Sequence, residues 1–176
     1  MSEKLNKNMN ADLDLDDDFE EDSQDDKYLT FRIGNEEFGI EIRHVTEIVG
    51  MQKITEVPDM PDFVKGVINL RGNVIPVVDI RMRFQMPERP YDDRTCVIVV
   101  NIRETAVGLV VDTVNEVNNI PETSISPPPQ VMKGTKSRFI KGMGKAADSV
   151  IILLAVDRLL FEEELSLIED IVPQEH

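Results

Sequence analysis

The sequence repeats itself, and this repeat sets the architecture before any residue is assigned to a helix or a strand. Residues 28–48 align with residues 97–117 at an offset of 69 positions, without a gap. The match resumes with seven extra residues in the second copy, where residues 63–80 align with residues 139–156. Aligned pairs include Gly39 with Gly108, Val45 with Val114, Glu47 with Glu116, Phe63 with Phe139, Lys65 with Lys141, and Gly66 with Gly142. We therefore expect two copies of one structural module.

Both copies have the residue pattern of an all-β domain. From Tyr28 onward, short stretches rich in Val, Ile and Phe are separated by Gly, Pro, Asn and Asp. Because a module of about 60 residues is marginally stable alone, we expect two subdomains, at roughly 28–90 and 91–156, to pack on a shared hydrophobic core. Residues 86–94 suit an exposed linker between them. Closing each module into a small barrel would remove exposed strand edges.

Three segments depart from the strand pattern. Residues 42–49 carry apolar side chains at a spacing of three and four, so one or two helical turns are an alternative to a strand there. Residues 112–117 have the same ambiguity. Residues 160–171 predict a C-terminal amphipathic helix, with Leu165 and Ile168 facing inward and Leu167 as a further candidate.

The negative charge of the chain is concentrated at its N-terminus. The formal net charge is -15, and residues 1–27 hold 11 acids against 3 bases. Such a composition predicts a disordered acidic tail, either a solvated spacer or a segment that tunes binding to a basic partner surface. Since the remaining chain has no basic stripe, binding to nucleic acid or to an anionic membrane surface is not expected. The expected partners are proteins.

The sequence also indicates a cytoplasmic protein. A single cysteine, Cys96, excludes an internal disulfide, and no Cys/His cluster has the spacing of a zinc site. No secretory signal is recognisable at the N-terminus, and the longest apolar run, 150–156, is too short to cross a bilayer.

The residues needed for catalysis are scarce. The two histidines, His44 and His176, cannot form a relay or a multi-histidine metal site. Cys96 opens an apolar run and is best interpreted as a small buried hydrophobe, and residues 66–72 do not match a phosphate-binding loop. Four carboxylates are interpreted as ion-pair partners or turn caps, not as an acid–base pair: Glu47, Glu116, Asp79 and Asp112. We expect a non-enzymatic binding protein without a cofactor or a metal.

Residues 63–84 (FVKGVINLRGNVIPVVDIRMRF), with the NLRG run at 69–72, strongly resemble the CheW family of chemotaxis coupling proteins. Residues 37–50 and 107–117 extend the resemblance, which covers about 28–170 and leaves out the acidic tail. It implies two small five-stranded β-barrels packed through a hydrophobic core, with a short helix and a C-terminal helix. It also implies two partners, the regulatory domain of a CheA-type histidine kinase and the cytoplasmic tip of chemotaxis receptors.

The family's functional positions can be carried over to matching residues of this sequence. The resemblance places a receptor-binding groove at Val45, Glu47, Gly66, Asn69, Arg71 and Val117. It implies a charged pair between Glu47 and Arg71, while Gly66 and Gly72 have the alternative interpretation of a purely backbone requirement. Kinase contacts are implied near Ile42, Thr95, Cys96 and Val97.

The resemblance implies an adaptor that couples receptors to the kinase and is recruited from the cytoplasm to membrane receptor arrays. Scaffolds of other chemosensory-type pathways, or the kinase's own regulatory domain, would share the module. Self-association in rings is implied by the family, so a self-assembling structural β-protein is a further alternative. A small enzyme with a pocket between the barrels would require converging polar side chains that the sequence does not offer.

Overall fold

The computed structural model describes residues 24–128 and 135–172. Most of the predicted acidic tail, residues 1–23, lies outside the described residues. Gln24–Asp26 form a single 3-10 turn, and the first strand begins at Lys27, the last residue of that predicted tail.

The fold is mainly β, as predicted, with two short helices and a longer one near the C-terminus. The strands are β1 (Lys27–Ile33), β2 (Glu36–Glu41), β3 (Val45–Gly50), β4 (Val64–Leu70), β5 (Asn73–Asp79), β6 (Cys96–Ile102), β7 (Thr105–Val111), β8 (Thr113–Asn119), β9 (Ile125–Ser126), β10 (Ile140–Ala146) and β11 (Ser149–Leu154). The helices are α1 (Ile80–Arg83), α2 (Thr135–Phe139) and α3 (Glu162–Asp170). β6 and β7 begin 69 residues after β1 and β2, and β10 and β11 begin 76 residues after β4 and β5, so the repeat is structural.

The ambiguous segments resolve mostly as strands. Ile42–His44 form one 3-10 turn, but Val45–Gly50 and Thr113–Asn119 are strands, because they pair with β6 and β1. Strand pairing with a neighbouring strand overrides a short helical spacing of apolar residues. In α3, Leu165 and Ile168 are buried as expected, whereas Leu167 is 41% exposed.

The two sheets exchange strands between the repeat copies. Sheet 1 has the order β8-β1-β2-β11-β10-β9, and sheet 2 has the order β3-β6-β7-β5-β4. Each sheet therefore combines the first hairpin of one copy with the later strands of the other. Parallel pairing joins the copies, β2 with β11 and β5 with β7. The sheet boundaries thus do not follow the expected division near residue 90.

One chain segment joins the two outer edges of each sheet. In sheet 2, β3 pairs with β6, and Thr55 further along the same segment forms a bridge to Val67 of β4. In sheet 1, β8 pairs with β1, and β9 follows it in the chain and pairs with β10. This arrangement links both edges in the manner expected of small barrels.

Glycines allow these closing segments to pass over the sheet. A Cβ atom added to Gly66, which has a φ of +141°, would lie 2.1 Å from the carbonyl oxygen of Thr55. At the equivalent Gly142, it would lie 2.8 Å from the carbonyl oxygen of Ser126. The repeated glycine is therefore required by the backbone crossing.

Three clusters of buried side chains form the core. The largest takes residues from both sheets and from α3, among them Phe31, Ile98, Leu109, Phe139 and Ile168. A second cluster belongs to sheet 2 and includes Val77 and Val97, and a third belongs to sheet 1 and includes Tyr28 and Leu153. The shared core predicted between the two subdomains is therefore the largest of the three.

A buried arginine fixes α3 to the rest of the fold. Arg83, at the end of α1, donates to both carboxylate oxygens of Glu164 at 2.8 and 3.1 Å, and to the carbonyl oxygen of Leu159 at 2.8 Å. Its guanidinium also lies 4.2 Å from the centre of the Phe63 ring and 4.7 Å from that of Phe139. The positive charge is thus fully partnered although the residue is buried.

Candidate functional site

The NLRG run forms the tight turn between β4 and β5. Arg71 and Gly72 occupy the two central positions with φ values of 52° and 90°. Two successive positive φ values are those of a type I′ turn, which matches the twist of a hairpin. The Asn69 Oδ1 atom accepts a hydrogen bond from the Gly72 N–H at 2.8 Å, so Asn69 holds the turn in place.

This turn presents Arg71 to Glu47 of β3. The Arg71 Nη2 and Glu47 Oε2 atoms are 2.5 Å apart, with the two side chains 69% and 29% exposed. The structure therefore brings together the charged pair that the sequence resemblance implied. Since an exposed ion pair contributes only about 0–1 kcal/mol to stability, this pair is dispensable for folding and free to exchange partners.

The second repeat copy lacks this ion pair. Glu116 is equivalent to Glu47, but the position equivalent to Arg71 is Ala147. Ala147 has a φ of 53°, close to that of Arg71, whereas Asp148, unlike Gly72, has no positive φ. The first central position of the turn is therefore similar in both copies, while the charge is absent from the second. The Glu47–Arg71 pair is therefore a specialised feature of the first copy and not a requirement of the module.

The apolar residues predicted for the groove differ in exposure. Val45 is partly buried against the largest core cluster, whereas Val117 in β8 is 49% exposed. Ile48 in β3 is 42% exposed and was missed by the sequence analysis. The repeat could have identified it, because residue 48 aligns with residue 117. Exposed aliphatic side chains at equivalent positions of both copies suit contact with an apolar partner.

A shallow groove lies beside the turn. It has a volume of about 350 Å³ and is lined by Asn69 together with Gln52, Lys53, Thr55, Val67, Ile68 and Val74. Gly66 lies on β4, the strand that also carries Asn69, but it is buried under the Thr55 carbonyl group. Gly66 therefore shapes this region through its backbone, as its alternative interpretation held, and offers no surface of its own.

The residues predicted for the kinase contact are less accessible. Thr95 and Val97 are buried, and the Thr95 Oγ1 atom accepts a hydrogen bond from the Asp92 N–H at 2.9 Å. Cys96 is half-buried, and Ile42 is partly buried against the largest core cluster. Because β6 lies between β3 and β7, its backbone is paired on both sides. Only Ile42 and Cys96 of this set present partly accessible side chains.

Asp112 connects the linker to the folded strands. Its Oδ2 atom accepts hydrogen bonds from the Gly34 N–H at 2.7 Å, from Arg81 at 2.5 Å and from Arg89 at 2.9 Å. Burial alone would raise the pKa of the Asp112 carboxyl, but the hydrogen bonds from Arg81 and Gly34 and the charges of Arg81 and Arg89 hold that pKa below its usual value. The predicted exposed linker is therefore attached to the fold through Arg89.

This geometry predicts a pH dependence of stability. A carboxyl whose pKa is lowered on folding stabilises the protein above its unfolded pKa of about 3.9, and this stabilisation is lost as pH falls through the folded pKa. We expect Asp112→Asn to lower the free energy of unfolding at pH 7 by about 1–3 kcal/mol. The difference from the unmodified chain should shrink in urea titrations repeated at decreasing pH below about 4. A difference that stays constant over that range would contradict the assignment.

The described part of the chain offers no metal centre and no membrane-spanning helix. No group of three or more His, Cys, Asp and Glu side chains is placed to hold a metal ion within residues 24–128 and 135–172. Over the same residues, no helix is long and apolar enough to cross a bilayer. The exposed features of this region are a polar turn, an ion pair and aliphatic side chains.

Comparisons with known proteins agree on one family. Residues 27–164 match the model of the CheW-like domain. The chain is 37% identical over 145 residues to the chemotaxis protein CheW of Klebsiella aerogenes, covering 82% of this chain and 87% of that protein. It is 31% identical over 138 residues to the CheW of Bacillus subtilis, covering 78% of this chain and 88% of that protein. The crystal structure of the scaffolding protein TtCheW from Thermoanaerobacter tengcongensis superposes with a TM-score of 0.72 at 37% identity, covering 79% of this chain and 94% of that one.

Proposed function

The chain belongs to the CheW family and is a scaffold protein of chemotaxis, and we propose that it couples chemotaxis receptors to a CheA-type histidine kinase. In this role it binds the cytoplasmic tip of the receptor and the regulatory domain of the kinase at the same time. Simultaneous binding recruits the protein from the cytoplasm to membrane receptor arrays. The protein performs no reaction of its own and needs no cofactor.

The observation that carries this proposal is the Glu47–Arg71 ion pair on the turn of the first copy. Its atoms are 2.5 Å apart, yet the arginine is mostly exposed. A guanidinium in this position can exchange its carboxylate partner for polar groups of a receptor helix, with little cost to folding. The absence of the pair from the second copy favours recognition over a structural role.

Exposed aliphatic side chains supply the apolar part of the proposed receptor site. Val117 and Ile48 are each about half exposed in strands at the outer edges of sheets 1 and 2. An amphipathic receptor helix places apolar residues at intervals of three and four, and it needs an apolar surface on which to dock. Ile48 therefore joins Val45 and Val117 in the proposed receptor-binding set.

The kinase is proposed to bind at a different surface. The kinase's regulatory domain resembles the CheW module in this family, so the two are expected to alternate in rings. Ile42 and Cys96 remain the candidate contacts, because Thr95 and Val97 are buried. Buried Val97 can affect this surface only by supporting the packing of β6.

The central experiment measures both binding events. Calorimetry at a fixed salt concentration, with a receptor cytoplasmic hairpin and a CheA regulatory domain added separately and together, should give a ternary complex. Binding of the kinase domain without any receptor tip would assign the chain to another chemosensory-type pathway. A folded protein that binds neither partner would refute the coupling function.

We expect Glu47→Ala to weaken receptor-hairpin binding by about tenfold, since Glu47, once released by Arg71, is proposed to make its own charge-assisted contact with the receptor, and such a contact contributes about 1.5 kcal/mol or more. The melting temperature should barely change, because loss of an exposed charge alters stability by about 0.5 kcal/mol or less. Calorimetric titration of the receptor hairpin checks the affinity. The matched control is Glu88→Ala, which removes another exposed pair, with Lys65 at 2.9 Å. Equal losses in both variants, or unfolding of Glu47→Ala, would reject this role.

A further inference from the structure

Strand directions gather several cations at one end of sheet 1. β1 runs antiparallel to β2 and β8, β2 runs parallel to β11, and β11 runs antiparallel to β10. The start of β1, the ends of β2, β8 and β11, and the start of β10 therefore lie together. We call this the entry end, because the described chain enters the fold there. Its cationic residues are Lys27, Arg43, Arg138, Lys141 and Arg158.

Some of these cations are already neutralised. Glu41, the last residue of β2, lies 3.4 Å from Arg43, 3.4 Å from His44 and 3.3 Å from Lys141. Lys141 also donates to the Tyr28 hydroxyl oxygen at 2.8 Å. One carboxylate thus serves three basic side chains at the entry end.

Arg138 and Arg158 are held together without a carboxylate. The Arg138 Nε–H donates to the Arg158 carbonyl oxygen at 3.3 Å, and Arg158 donates to the Arg138 carbonyl oxygen at 3.4 Å. The Arg138 guanidinium also lies 4.2 Å from the centre of the Phe161 ring. Among ion pairs between described residues, none includes either arginine. Two guanidinium groups, each held by the backbone carbonyl of the other arginine, form a preorganised site for carboxylates.

The chain itself carries a complementary segment next to this site. Residues 11–23 contain eight acidic residues and no basic one, and they precede Gln24 at the entry end. In sheet 1, β1 and β10 are three strand spacings apart, which is about 15 Å. A segment of 13 residues reaches up to about 45 Å when extended, so it can span this distance. Such short tethering gives an effective concentration on the order of millimolar.

We propose that the acidic segment 11–23 binds the Arg138–Arg158 pair of its own chain. In this contact the acidic segment lies over the entry end of sheet 1. An acidic segment of another protein would have to displace it in order to bind there. It does not rest on the proposed coupling function, because Arg138 and Arg158 belong to neither the receptor-binding nor the kinase-binding set, although Val117 and Ile42 lie at the same end of the fold.

A spin-label experiment on the full chain tests this contact. The label is attached through Asn10→Cys in a Cys96→Ser background, and NMR signal loss is measured at backbone amides of the ¹⁵N-labelled protein. At about 0.01 M salt, where charges interact over about 30 Å, we expect selective signal loss near Arg138, Lys141 and Arg158. At about 1 M salt, where this range falls to about 3 Å, the loss should disappear.

Charge-matched variants make the test specific. Arg138→Gln with Arg158→Gln should abolish the signal loss, whereas Lys53→Gln with Lys145→Gln, which removes two exposed charges elsewhere, should preserve it. If the arginine variant does not fold, the acidic segment can be neutralised instead, which leaves the folded residues unchanged and should also abolish the NMR signal loss. The substitutions are Asp16→Asn, Asp17→Asn, Asp18→Asn, Glu20→Gln and Glu21→Gln.

Two outcomes would overturn the proposal. Signal loss that is spread evenly over the surface, or that survives neutralisation of the acidic segment, would show that the segment has no preferred site. The same signal loss in a mixture of spin-labelled chains without ¹⁵N and ¹⁵N-labelled chains without a spin label, growing with concentration, would assign the site to a second copy of the protein.

Discussion

Gly66→Ala should destabilise the protein by about 3 kcal/mol or more, the largest effect we expect from adding a single methyl group. The added Cβ atom would lie 2.1 Å from the Thr55 carbonyl oxygen and 3.0 Å from the Glu56 Cα atom. Both are backbone atoms of the segment that closes sheet 2, so no side chain can rotate to relieve the clash. The φ of +141° adds backbone strain for any residue with a Cβ atom.

Substitutions at two other glycines distinguish the loss of stability caused by the steric clash from the loss caused by backbone strain. At Gly72, which has a φ of +90°, an added Cβ atom meets nothing within 4 Å, so Gly72→Ala should show backbone strain alone, about 1–2 kcal/mol. At Gly50 there is neither a neighbouring atom within 4 Å nor a positive φ, so Gly50→Ala should change stability by about 0.5 kcal/mol or less. Urea unfolding with comparison of slopes measures all three. A Gly66→Ala protein as stable as Gly72→Ala would mean that the Thr55 segment moves away freely.

Arg83→Met should cost about 3–5 kcal/mol, because it leaves the Glu164 carboxylate without its partner in a mostly buried position. Methionine fills much of the same volume, so the loss reports the charge and its hydrogen bonds more than an empty cavity. Among the described residues, Glu164 would then keep one hydrogen bond, from the N–H of Phe161 at the start of α3, at 2.8 Å. We therefore expect α3 to detach first, visible as increased amide exchange at Leu165 and Ile168.

A double-mutant cycle identifies the pairwise part of this effect. Glu164→Gln in the Arg83→Met background removes the unpaired charge and should recover part of the lost stability. Lys65→Met, which breaks the exposed pair with Glu88, should cost about 1 kcal/mol or less and serves as the control. Equal costs for Arg83→Met and Lys65→Met would show that the buried pair has no special contribution.

The order of the strands could be predicted from the sequence, but their partners could not. The alignment of residues 28–48 with 97–117 correctly predicted matching strands in both copies. Because the two copies share one residue pattern, the pattern allows the first hairpin to pair with the later strands of either copy. Pairing of Gly39 with Leu153, and of Gly108 with Val77, is a long-range choice that local residue patterns do not encode.

The candidate site could likewise be predicted only in part from the sequence. Glu47 and Arg71 were implied as a pair by the resemblance, and the turn at residues 69–72 brings them together. For Thr95 and Val97, the alternation of side chains along a strand shows which residues share a face of the sheet. It does not show which face is covered by other parts of the protein. In β6 both faces carry buried side chains, so the pattern does not distinguish an accessible strand from an interior one. Ile48 was missed because its single exposed aliphatic side chain resembles an ordinary core residue.

The exchange of strands between the copies fixes the order in which the protein can fold during synthesis. Sheet 2 needs β3 to β7 and has all its strands once residue 111 has left the ribosome, whereas sheet 1 must wait for β11 and residue 154. At about 5–20 residues per second, the β1–β2 hairpin spends on the order of ten seconds without its final partner. The first hairpin to be made is thus among the last to be enclosed, and a nascent chain stalled between the two points would expose its apolar strands to chaperones.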